Sequence, residues 1–283
     1  MTVIATDLDR TLFPNGKQEY DNSMRLFGEI VRKREIPLIY VTGRNRDQIL
    51  EGMEKYDPPL PLYAVAEVGT KIYDLDGREF TEDKGYIRLI EESTRNWDVE
   101  AFKNALASLA DLRLQEARNQ NEFKLSYYLD HPEKGSDTVE AVKKAIGEIC
   151  PDFRVIYSVD ETRGRGLLDV LPRAASKLEA LEYLRGSMKV QKEEIIYCGD
   201  SGNDLLPLTA GYRAIVVRNA IPEVKTAVKE AMRSNGMEHL LRVAEGMGEL
   251  NGYYVSGIIE GLVRFGEIPE DFTLKTPSTE SRT

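Results

Sequence analysis

Two aspartates two positions apart, Asp7 and Asp9, close an apolar run in the segment "TDLDRTLF" (residues 6–13). Carboxylates this close shift one another's pKa and repel, unless a divalent cation or a shared proton lies between them. Alternate residues of a strand share a face, so both would project together if the strand ran on. A turn starting at Asp9 would still leave them close. A second acidic cluster ends another apolar run. "GDSGND" (199–204) supplies Asp200 at a strand end, two glycines for a tight turn, and Asn203 and Asp204 at a helix start. Oxygen ligands from Asp7, Asp9 and Asp200, with retained waters, suit the octahedral preference of Mg²⁺.

Two further groups bear on an anion. In "VTGR" (41–44), Thr42 can donate its hydroxyl and Gly43 its amide, and a glycine lets a ligand approach the backbone. Lys177, in "RAASKLEAL", falls in the first turn of a helix, where the macrodipole disfavours a cation unless it serves an anion. Together these parts describe phosphoryl transfer: a carboxylate nucleophile (Asp7), a carboxylate acid and base (Asp9), a metal, and donors around the phosphoryl oxygens. Each part alone has a plain structural explanation as a turn, a cap or a solvated charge. All four in this order, each at an element end, are hard to explain as packing.

These ends must be positioned by an α/β scaffold. Apolar runs at 3–6, 37–42 and 62–66 alternate with helical patterns over 21–34 and 46–55, the rhythm of a parallel sheet whose ligands collect at the carboxyl ends of its strands. The rhythm breaks at 68–80, where Asp76-Gly77 signals a hairpin. An α-β-β unit then occurs twice: a helix over 98–110 with strands at 111–116 and 123–129, and a helix over 137–149 with strands at 153–158 and 166–170. That order predicts an antiparallel sheet with helices on one face. The rhythm resumes with a helix over 175–186, strands at 194–199 and 213–217, a helix start near 203, and helices over 222–233 and 254–265. The expected fold is therefore α/β, a Rossmann-like parallel-sheet core (1–82 and 171–283) with an inserted α+β cap (83–170). The polar tail "TLKTPSTESRT" lacks periodicity and is expected to be frayed.

Composition narrows the function. The chain has 283 residues, is 41% hydrophobic and 30% charged, and carries a net charge of -10, which argues against a general nucleic-acid binder and requires a locally basic pocket for any small anion. Cys150 and Cys198 form no C-x-x-C pair, and His131 and His239 stand apart, so acid–base chemistry falls to carboxylates. No apolar stretch approaches a membrane span or a signal-peptide core. The expectation is a cytoplasmic protein without membrane or nucleic-acid partners, a monomer or small homo-oligomer.

The four motifs "DLDRT", "VTG", Lys177 and "GDSGND" resemble those of the haloacid dehalogenase superfamily of phosphatases. The sequence is similar to the sucrose-phosphate phosphatase family over nearly its whole length, through "VGTKIY", "FKLSYYLD", "LDVLPRAASKLEALEYL", "IVVRNAIPEV" and "SGIIEGL". That resemblance implies Mg²⁺ as cofactor, Asp7 as nucleophile and metal ligand, and Asp9 as acid/base with its backbone carbonyl on the metal. It further implies Asp200 as third protein ligand, Asp204 supporting the metal site, and Thr42, Gly43, Lys177 and Asn203 gripping the phosphate. The larger α/β cap of the superfamily would close over a sugar phosphate, most readily sucrose 6-phosphate, with Lys124 touching sugar; Arg44 is a further expected substrate contact. One departure is Arg10, where the superfamily most often has glycine. The competing readings are a phosphosugar mutase, an aspartyl-phosphate sensor and a non-catalytic phosphate-binding protein.

Overall fold

The computed structural model describes residues 1–160 and 163–270. The chain opens with β1 (Val3–Thr6), α1 (Ser23–Arg34), β2 (Leu38–Val41), α2 (Arg46–Tyr56), β3 (Tyr63–Ala66) and the hairpin β4 (Lys71–Asp76) and β5 (Glu79–Glu82). Next come α3 (Lys84–Ser93), α4 (Val99–Leu106), β6 (Leu112–Leu114), β7 (Leu125–Leu129), α5 (Gly135–Gly147), β8 (Phe153–Asp160) and β9 (Arg165–Pro172). It ends with α6 (Lys177–Met188), β10 (Ile195–Gly199), α7 (Leu205–Leu208), β11 (Arg213–Val216), α8 (Pro222–Ser234), β12 (Leu241–Val243) and α9 (Val255–Arg264).

The strands form two sheets. The larger runs β12-β11-β10-β1-β2-β3-β4-β5, parallel from β12 to β3 and antiparallel through the hairpin. Both faces are covered, which is why its strands read as continuous apolar runs. Ile4, Ile196 and Cys198 pack on one face with α1 and α9, and Val3, Ala5, Ile195 and Tyr197 on the other. The chain builds outward from β1 to β3 and later from β10 to β12 in the opposite direction, so the order reverses between β1 and β10. A crevice at such a reversal is where open α/β sheets hold ligands.

The smaller sheet, β6-β7-β9-β8, is antiparallel throughout. Strand alternation gives it two characters. Leu125, Tyr127, Leu168 and Val170 pack against Phe102, Val142 and Ile146 of the helices α4 and α5, leaving Lys124, Ser126, Tyr128 and Asp169 on the opposite face, toward the larger sheet. Asn121 Nδ2 clasps the two units by donating to Glu67 Oε2 (2.6 Å) and Thr70 Oγ1 (2.8 Å), and Arg154 of β8 forks onto Glu179 of α6.

Two elements escaped sequence reading. β12 is three half-buried residues, too short for a periodic signal. The α3 helix did carry one: Asp83 caps it through the Gly85 and Tyr86 amides, and Tyr86 and Ile90 are buried one turn apart. The polar tail lies outside the described residues.

Beyond β3 the chain makes three consecutive left-handed residues, Glu67 (φ 53°), Val68 (φ 62°) and Gly69 (φ 97°). A β-branched residue there is an outlier that only a strong surrounding constraint maintains. The constraint is the α6 N-terminus: a Cβ on Gly69 would lie 2.0 Å from the Ser176 carbonyl carbon. Gly69→Ala should therefore lower the unfolding free energy by more than about 2 kcal/mol, the left-handed methyl alone costing ~1–2 kcal/mol. Gly77→Ala, equally left-handed but with nothing within 4 Å of the added methyl, should lose only about 1 kcal/mol. Urea unfolding of both variants checks this; equal losses would show that the turn can relax away from α6.

Candidate active site

Two parallel strands converge on one ammonium group. Pairing of β1 with β10 places the Asp7 amide on the Cys198 carbonyl (2.9 Å), so Asp7 emerges beside Asp200. Lys177 follows the N-cap Ser176, whose hydroxyl accepts the Leu178 and Glu179 amides. Its Nζ, 1% exposed, donates to Asp7 Oδ1 (2.6 Å), Asp204 Oδ1 (2.8 Å) and Asn203 Oδ1 (2.8 Å). Here is the anion that the lysine's first-turn position called for, so the ammonium is repaid for its lost hydration.

Asp204 is saturated by hydrogen bonds. Tyr197 Oη donates to Oδ1 (2.6 Å), and the Asp200 and Ser201 amides lie within bonding distance of Oδ2. Gly202 lies in the tight turn expected of "GDSGND", closed by the Asp204 amide on the Ser201 carbonyl (3.0 Å), but neither Gly199 nor Gly202 has a positive φ. Each permits close approach instead, since a Cβ would lie 2.7 Å from the Asp204 side chain at Gly199 and 2.8 Å from the Tyr157 carbonyl oxygen at Gly202.

Burial pushes the Asp7 carboxyl well up, Lys177 opposes the rise, and Asp204, Asp200 and Asp9 add to it. Burial beside Asp204 lifts Asp200 to about 7, against the pull of Arg10 and Lys177. Both shifts express one cause, negative charge confined out of water. One oxygen from each of Asp7, Asp200 and Asp204 lies within 4.8 Å of the others, and Asp200 Oδ2 is buried without a hydrogen bond. An all-oxygen set, one of whose carboxylate oxygens is ion-paired to Arg10 but accepts no hydrogen bond, fits a hard divalent cation.

Asp9 is placed differently from Asp7. The chain leaves β1 after Thr6, and the Asp9 side chain meets a fork from Arg44, with Nε on Oδ2 (2.9 Å) and Nη2 on Oδ1 (2.7 Å); Asn15 Nδ2 also donates to Asp9 Oδ1. Burial would raise Asp9, but the Arg44 and Asn15 bonds and the Arg44 charge hold it below the usual carboxylate value. Arg44, expected at the substrate, is thus the partner of Asp9. Nothing in "VTGR" alone reveals this, since it depends on β2 lying beside β1.

Thr42 is fully buried, with its amide on the Val65 carbonyl (2.8 Å) and its hydroxyl accepting the Arg44 amide (3.2 Å). A Cβ on Gly43 would touch only Val68, at 3.7 Å, so the fold itself tolerates a side chain there. Asp7, Asp9, Gly43, Asp200 and Asn203 share a cleft of about 540 Å³ with Lys124, Tyr128 and Asp169 of the smaller sheet. Lys124 is 4% exposed, and no carboxylate among the described residues lies within ion-pair distance of it. Arg10, Arg44, Arg118, Arg163 and Arg165 complete the locally basic lining that an acidic protein needs to admit an anion.

Carboxylates brought from the two halves of a parallel sheet onto one buried ammonium, beneath a second sheet, are the layout of a haloacid dehalogenase-type phosphatase. Known proteins agree. Residues 1–266 match the family described as sucrose-6F-phosphate phosphohydrolase; the chain belongs to that family and is a phosphoric monoester hydrolase. A Nitrosococcus oceani protein described as a "putative HAD-like hydrolase" is 36% identical over 93% of this chain and 71% of its own length. The mannosylfructose-phosphate phosphatase of Agrobacterium fabrum is 27% identical over 95% of this chain and 98% of its own. Among solved structures, the sucrose-phosphatase of Synechocystis in complex with sucrose and phosphate superposes with a TM-score of 0.75 at 23% identity, covering 94% of this chain and 98% of that one. The phosphatases of this superfamily generally use a divalent metal.

Lys177→Met would leave Asp7 and Asp204 buried without their cation. A stability loss of about 3 kcal/mol or more at neutral pH is expected, the usual effect of breaking a buried pair from one side. Urea unfolding measures it, and a loss below about 1 kcal/mol, as at an exposed pair, would show that the carboxylates are neutralised by other groups.

Proposed function

We propose that this protein hydrolyses a glycosyl-fructose phosphate, with sucrose 6-phosphate as first candidate, through an aspartyl-phosphate on Asp7 and with Mg²⁺ as cofactor. The observation that carries the reading is the Lys177 contact with Asp7 (2.6 Å) at the base of a cleft whose opposite wall is polar. The substrate class follows from the family description and from the name of the Agrobacterium relative, which both specify a phosphorylated fructose disaccharide. The cleft volume, about 540 Å³, falls within the range of small-molecule sites.

In this reading 1–82 and 171–283 form the catalytic core, and 83–170 is the cap that reads the sugar. Asp7 and Asp200, with the Asp9 carbonyl, hold the metal, and Asp204 braces the site through hydrogen bonds. Bound there, the metal offsets the charge between an anionic nucleophile and an anionic substrate. A carboxylate oxygen of Asp7 attacks phosphorus as the bond to the sugar oxygen breaks. Asp9 gives its proton to the departing alkoxide, then takes one from the water that cleaves the acyl phosphate and frees inorganic phosphate. Thr42, Gly43, Asn203 and Lys177 bind the phosphoryl oxygens. Donation by Asp9 requires the Arg44 fork to open, because that fork favours the carboxylate form. A phosphoryl group beside Arg44 supplies a competing partner for the guanidinium.

Phosphate release should be rapid from sucrose 6-phosphate with Mg²⁺ and lost with a chelator. Asp7→Asn should lower it by at least about 10³-fold, a loss of roughly 4 kcal/mol of barrier lowering, while circular dichroism stays unchanged. Return of phosphate to a sugar hydroxyl, with none set free, would replace hydrolysis by mutase chemistry. Lys124→Met should raise KM for the disaccharide phosphate and leave acetyl phosphate hydrolysis within about twofold, because only the sugar end is affected.

A further inference from the structure

Arg10 occupies a position that its backbone disfavours. Its φ is 62°, in the left-handed region where glycine or asparagine is the easy choice. A strained residue persists only where neighbours over-determine it. The Arg10 amide donates to Asn15 Oδ1 (2.7 Å) and the Phe13 carbonyl (3.1 Å), and Asn219 Nδ2 donates to the Arg10 carbonyl (2.6 Å). The guanidinium returns a bond to the Asn219 carbonyl (3.0 Å), and Asn219 itself is 6% exposed and accepts the Tyr254 amide (2.9 Å). Held this way, Arg10 Nε lies 3.3 Å from Asp200 Oδ2, the carboxylate oxygen without a hydrogen bond.

We propose that Arg10 is a resident competitor of the divalent cation. Its fixed charge lies against a metal-holding carboxylate, so the site binds the cation weakly by itself and tightly only once a phosphoryl group contributes negative charge. This rests on the phosphatase reading above. In the ionised form that would hold a cation, Asp7, Asp9, Asp200 and Asp204 face Lys177, Arg44 and Arg10, which leaves one net negative charge for a divalent cation to meet. With the cation bound, the cluster is net positive and its strongest remaining attraction is for a dianion. Without Arg10, the acidic cluster would carry two net negative charges and retain the cation whether or not substrate was present. By linkage, a cation whose affinity rises with phosphate raises the affinity for phosphate by the same factor.

Calorimetric titration of the metal-free full-length protein with Mg²⁺, with and without inorganic phosphate, tests this. Arg10→Gly suits the left-handed backbone, Arg10→Gln keeps a polar side chain without charge, and Arg10→Lys keeps the charge. In the absence of phosphate both neutral variants should bind Mg²⁺ about tenfold or more tightly than the parent, and Arg10→Lys should stay within about threefold of it. Phosphate should tighten Mg²⁺ binding in the parent by a larger factor than in Arg10→Gly. Unchanged or weaker Mg²⁺ binding by Arg10→Gly, with a melting temperature no lower than the parent's, would overturn the proposal. Failure of the phosphatase reading shows separately, as a parent protein that releases no phosphate from any sugar phosphate.

Discussion

The structure depends on keeping several carboxylates out of water around one ammonium. Moving an ionised group from water into a protein interior costs several kcal/mol, and only close opposite charges with full hydrogen bonding offset it. Lys177 meets that condition with three acceptors within 2.8 Å. To do so it must approach from α6 while Asp7 comes from β1 and Asp204 from the segment after β10. The parallel pairing of β1 with β10 fixes two of these origins. The third is fixed by the strained turn at Glu67–Gly69, which lets the start of α6 lie directly on the backbone beyond β3. The strand order and the three left-handed residues in a row together bring these groups to one ammonium.

The remaining charges are arranged in pairs across neighbouring strand ends. Arg44, from the loop after β2, takes Asp9, and Arg10, from the loop after β1, takes Asp200. Neither arginine competes with Lys177 for its carboxylates. This division offsets most of the cluster's negative charge, and in the proposed reading a divalent cation would make it attractive to a phosphoryl dianion. In a chain with net charge -10, long-range attraction would not deliver that dianion, so the cleft's own cations must.

The motif residues were legible because they stand at the ends of apolar runs, and a parallel sheet gathers such ends on one edge. Asp7, Asp200 and Gly43 stand at such ends, whereas Lys177 was readable from its place in the first turn of a helix. The ion pairs of Asp9 and Asp200 were not, because they depend on which strand lies next to which, and Arg10 and Asp200 are far apart in sequence. Likewise the glycines of "GDSGND" read as turn residues, and Gly202 is one, but the structure also uses their lack of a side chain to admit Asp204 and the Tyr157 backbone. Composition reveals that a glycine is needed; only packing reveals for what.

Chemistry and recognition are built by different means. The clustered carboxylates and Lys177 stand at element ends whose positions a doubly covered sheet fixes, so they tolerate little change. The facing wall comes from strand alternation: Leu125, Tyr127, Leu168 and Val170 hold the smaller sheet to its helices, which leaves Lys124, Ser126 and Tyr128 on the side toward the cleft. Tyr128 is itself stiffened by Arg165, whose guanidinium lies 3.6 Å from the ring centroid, and by its hydroxyl bond to Glu116. Lys124 is deeply buried, lines the cleft and has no carboxylate within ion-pair distance among the described residues. On the proposed reading, a substitution on that face would alter the choice of sugar while leaving the fold and the carboxylates in place.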